Sequence, residues 1–69
     1  MVTNVVIQNE PRPEAGWTVY VGGLIEHRAA TVHEAEIAAA RLTKGYRPVA
    51  VFVVACNHRI LRAYCPIDP

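Results

Sequence analysis

The chain is poor in the residues from which most chemistry is built, and each scarcity excludes something. It has one lysine, and its seven Lys and Arg are offset by six Asp and Glu, leaving a formal charge of +1. A balance so near neutrality gives no strong pull towards nucleic acid or an anionic membrane. The longest apolar run, Val49 to Ala55, falls far short of the roughly 20 residues a membrane-spanning helix needs. Val2 to Ile7 is short and lacks the basic flank of a signal peptide, so a cytoplasmic location is expected. No internal repeat and no low-complexity tract is present.

Reactive residues are equally sparse. Of the three histidines, His27, His33 and His58, no two have the i, i+4 spacing of a helical zinc motif. Cys56 and His58 are near neighbours, but on a strand end and a turn their side chains diverge, and no carboxylate lies close by to orient the base. Cys56 and Cys65 fall at opposite ends of one hairpin, too far apart to bridge. Both read as small buried hydrophobes with free thiols. The expectation is a protein that is not an enzyme and uses no metal or cofactor.

Apolar residues are abundant: 52% of the 69 residues are hydrophobic, enough for one core and one domain spanning 1–69. A domain of this size buries only about 60% of its unfolded surface, so association with another surface would add usefully to its stability.

The order of elements follows from local signals. Asn4 to Gln8 reads as a first strand, and Glu10-Pro11-Arg12-Pro13-Glu14 as a stiff connector. Trp17 to Val21 alternates as a second strand. Gly22-Gly23 supplies a two-residue hairpin turn, and Leu24 to Ala29 returns as a third strand. That register pairs Val19 with Glu26, and Trp17 with Arg28 for a cation–π stack. Thr31-Val32-His33-Glu34 is a capping box. The helix it opens runs from Val32 to about Lys44, with Gly45 at C′ and Pro48 preventing continuation. Its apolar stripe, Val32, Ala35, Ala38, Ala39 and Leu42, is mostly alanine, so the helix should lie close against its sheet.

Val49 to Ala55 is β-branched and aromatic, followed by a turn at Asn57-His58 and a strand to Tyr64. Alternation sorts this hairpin onto two faces, both mostly apolar. One carries Ala50, Phe52, Val54, Cys56, Leu61, Ala63 and Cys65. The other carries Val49, Val51, Val53, Ala55, Ile60, Arg62 and Tyr64. The fold class expected is α+β: a small antiparallel sheet of about five strands with one helix on one face, in the order β-β-β-α-β-β.

Several of these residues recur as a pattern: Asn4-Val5, Gly16-Trp17, Val19, Thr31, Glu34-Ala35, Ala40-Arg41, Arg59-Ile60 and Arg62. With them the chain resembles a family of short bacterial domains marked by N-V-x-V, G-W-x-V, T-x-x-E-A…A-R and D-G-R-I-R motifs. The resemblance covers roughly residues 4–62, with Asn57-His58 standing where the family has D-G. It implies the same fold, and no activity comes with it, because the family's function is not established.

Function is therefore expected from surfaces. A single helix covers one sheet face and leaves a second apolar face to dock. On the hairpin that face is expected to be Val49, Val51, Val53, Ile60, Arg62 and Tyr64. The partner would be a second copy, giving a homodimer, or a larger protein or complex. Short bacterial or phage inhibitors such as anti-CRISPR proteins act in this style. The alternative is a small nucleic-acid-binding module using Arg28, Arg41, Arg59 and Arg62, with Lys44 nearby.

Overall fold

The computed structural model describes residues 2–11 and 16–66. It is an α+β domain built from β1 (Thr3–Asn9), β2 (Trp17–Val21), β3 (Leu24–Ala29), α1 (Val32–Leu42), β4 (Val49–Val54) and β5 (Ile60–Tyr64). Most of the proline connector, residues 12–15, lies outside the described residues.

All five strands join one sheet in the order β3-β2-β1-β4-β5. Neighbours pair antiparallel except β1 and β4, which run parallel with Val5 opposite Val51 and Ile7 opposite Val53. The sheet is thus mixed, where local signals suggested an antiparallel one. The cause is the helix: α1 carries the chain from edge strand β3 back across the sheet, delivering β4 to the free side of β1 in the same direction.

Local chemistry sets the helix start. Thr31 is extended at φ −127° and ψ 158°, and its hydroxyl accepts from the Glu34 N–H at 3.2 Å. The Glu34 carboxylate reaches back one residue further than in the usual box, accepting from the Ala30 N–H at 3.3 Å. Thr31→Ala should cost roughly 0.5–2 kcal/mol, lowering the melting temperature by several degrees in a domain of this size. An unchanged melting temperature would remove the cap from the account. The helix end differs from the expected glycine cap. Thr43 is the C-cap, buried, with its hydroxyl donating to the Ala39 carbonyl at 2.7 Å. Gly45 does not take the positive φ of a left-handed C′ residue.

Gly22 and Gly23 form the β2–β3 turn, both with positive φ, at 59° and 87°. Val21 then pairs with Leu24 and Tyr20 with Ile25, but the register shifts at the next step and Val19 pairs with His27. Glu26 is the extra residue of a β-bulge. Arg28 consequently pairs with Thr18 while Trp17 pairs with Ala29, which puts Arg28 and Trp17 on opposite faces and removes the expected stack. The β4–β5 hairpin keeps the expected pairs Val51–Tyr64, Phe52–Ala63 and Val53–Arg62, then shifts so that Val54 pairs with Ile60 and Leu61 is the extra residue. The turn itself is one residue longer than expected. The His58 N–H donates to the Ala55 carbonyl, and the Ala55 N–H to that of Arg59. His58, rather than Asn57, takes the positive φ, at 69°.

Helix α1 packs on β1, β2 and β3. Between the layers lie Val5, Ile7, Val19, Val49, Val51 and Val53 from the sheet, with Ala35 and Ala39 from the helix and Ala29 at the end of β3. Alanines on the helix let it sit close, so valines suffice to fill the layer. Both cysteines are free, and both are exposed rather than buried.

Candidate docking face

The registers fix which side chains share each face. On the helix side, one row across the sheet reads Leu24–Val21–Val5–Val51–Tyr64, and the next His27–Val19–Ile7–Val53–Arg62. Val49, Val51 and Val53 are only 1–2% exposed. They are the floor of the core beneath α1 and present no surface to a partner. That corrects the expected docking face, half of which is interior. Ile60 leaves that face altogether, since its pairing with Val54 puts it on the other side.

Arg62 and Tyr64 remain on the helix side, at the sheet edge, and bind the helix. Glu36 accepts from Arg62 Nη2 at 2.5 Å and from the Tyr64 hydroxyl at 2.9 Å, and the guanidinium lies 5.9 Å from the Tyr64 ring centroid. This cluster ties β5 to α1. Glu36 carried no local sequence signal, because its partners lie 26 and 28 residues away. Burial, followed by the hydrogen bond and charge of Glu36, pushes the Tyr64 hydroxyl up to about 12. A raised folded-state value favours the neutral phenol, so its contribution to stability is fully present below about pH 10, the unfolded value. It is then lost as pH rises through 12. Absorbance titration should show a late tyrosine step near pH 12. Tyr64→Phe should remove that late step, and a late step that persists in this variant would contradict the assignment.

The opposite face carries no helix. Its central row crosses all five strands as Ile25–Tyr20–Val6–Phe52–Ala63. The next row is Arg28–Thr18–Gln8–Val54–Ile60, and Asn4 beside Ala50 completes the face towards the Gly22-Gly23 turn. Ile25 and Ile60 are 52% and 58% exposed and Val6, Tyr20 and Phe52 are half-buried, while Thr18 and Val54 in the next row are buried, at 1% and 8% exposed. Gln8 lies along the polar row, its amide donating to the Ala55 carbonyl at 2.8 Å and the Asn9 carbonyl at 3.1 Å. No element among the described residues packs over this apolar row. Residues 67–69 lie outside the described residues.

The basic residues do not converge. Arg28 is on edge strand β3, whereas Arg59 and Arg62 are at the opposite edge, four strand spacings or about 19 Å across. Arg41 and Lys44 lie at the end of α1, on the other side of the sheet from Arg28. Arg62 already faces a carboxylate. Among the described residues no group of three or more His, Cys, Asp or Glu is placed to hold a metal ion. No helix among them is long and apolar enough to cross a membrane. Comparison with family models, curated proteins and solved structures finds no match for this chain. What the face does has to come from its own geometry.

Proposed function

We propose that this protein is a docking domain that binds protein surface through the open face of its sheet and carries out no catalysis of its own. The observation that carries the reading is the continuous row Ile25–Tyr20–Val6–Phe52–Ala63, apolar from one sheet edge to the other and bare of any covering layer among the described residues. An apolar strip with exposed or half-buried polar neighbours (Asn4, Gln8 and Arg28) has the arrangement of an interface core and rim.

Both sheet edges argue against strand addition as the mode of contact. β3 carries a bulge at Glu26 and β5 a bulge at Leu61, each beside charged side chains. Bulges and charges are how exposed edges are kept from pairing with another strand. Contact is thereby directed to the face.

Photo-crosslinking distinguishes the surfaces. A photoreactive phenylalanine analogue at position 52 should give protein adducts in a lysate of the source cells, whereas the same analogue at Ile37, on the outer side of α1, should give few. Equal yields at the two positions, or none at 52, would contradict the reading.

A further inference from the structure

Resting on that reading, we infer that the occupant of the open face is a second copy of this chain, packed face to face about a two-fold axis that runs along β1. The central row is nearly symmetric about β1. Val6 sits at its middle, Tyr20 and Phe52 flank it, and Ile25 and Ala63 end it. Rotation about an axis along β1, lying between the two sheets, exchanges the positions of β2 and β4 and those of β3 and β5. Val6 then meets Val6 of the second copy. Phe52 meets Tyr20 and Tyr20 meets Phe52. At the ends, Ile25 meets Ala63, a large side chain over a small one.

The central row is thus its own complement, as an isologous interface requires. Two sheets packed in this way form an aligned sandwich about 10 Å thick between layers. The aromatic pairs provide the contact that two-fold interfaces favour at their centre.

Using the open face for this purpose leaves α1 and the Glu36–Arg62–Tyr64 cluster facing outward.

Sedimentation equilibrium of the purified chain tests the inference. Wild type should be a dimer at tens of micromolar. Phe52→Asp should be a folded monomer, with dimer affinity lowered on the order of a thousandfold, because each dimer loses a central aromatic twice. Ala63→Arg sits at an exposed position and gives a second monomerising change that does not threaten the fold. Ile37→Lys, on the outer side of α1, should leave the dimer intact. A wild type that stays monomeric, or a dimer lost with Ile37→Lys and kept with Phe52→Asp and Ala63→Arg, overturns the inference. A hydrophobic dye then separates the two failures. Dye binding by the monomer that disappears in Phe52→Asp overturns only the second copy as occupant. A monomer with no such binding overturns the docking face as well.

Discussion

Val51→Asp should yield a chain that does not fold. Val51 is 2% exposed, at the centre of a layer formed by Val5, Val19, Val49 and Val53 under the alanines of α1. A carboxylate there has no partner and little access to water, and leaving a charge or an unpaired polar group so buried costs roughly 3–5 kcal/mol. At about 0.05–0.15 kcal/mol per residue, a domain of this size holds roughly 3–10 kcal/mol in total. The valine's own burial, roughly 1.5–3 kcal/mol, is lost as well, and the two losses together take most of that margin. Far-UV circular dichroism of the purified variant should show a largely unfolded chain, and a native spectrum would mean that α1 does not seal this face.

Gly16→Ala is the second large effect, for a different reason. Gly16 has φ of +62°, and a Cβ there would run into the Ala29 carbonyl oxygen while standing 3.2 Å from Ala30 Cα. These are backbone atoms at the junction of β3 and α1, and they cannot swing aside. Gly16 also receives the Glu10 N–H at 2.9 Å, which fixes the chain as it enters β2. Left-handed backbone in a non-glycine residue and overpacking each cost about 1–3 kcal/mol. Together they should lower the urea midpoint by a large fraction of its value. A midpoint within error of wild type would show that the β1–β2 connection moves freely away from β3.

Elements with local causes were legible in the residues. The turn glycines, the Thr31 cap and the β-branched run of β4 each act within a few positions, and the strands and the helix stand where those signals put them. Features fixed by distant partners were not. Nothing near Asn4 to Gln8 announces a parallel pairing with residues 46 positions later, such as Val5 with Val51. The two bulges, at Glu26 and Leu61, likewise have no local signature.

The assignment of the two hairpin faces failed for a related reason. Both faces of β4 and β5 are apolar, so alternation alone cannot say which one the helix covers. The answer lay in the neighbouring strands. On β1, Asn4 and Gln8 alternate with Val5 and Ile7, and on β2 Thr18 and Tyr20 alternate with Trp17, Val19 and Val21. The polar side of both strands aligns with Ala50, Phe52 and Val54, which makes the valine side the core. Without the β1–β4 register that alignment was out of reach.

Phe52 is the next residue along β4 from Val51 and points the other way, so the urea melt of Phe52→Asp tests the open face most directly. The expected result is a cooperative transition from a native far-UV spectrum, in contrast to the unfolded Val51→Asp chain, because the new carboxylate meets water. A Phe52→Asp chain as unfolded as Val51→Asp would show that this face is covered from within the same molecule, and the docking surface would not exist.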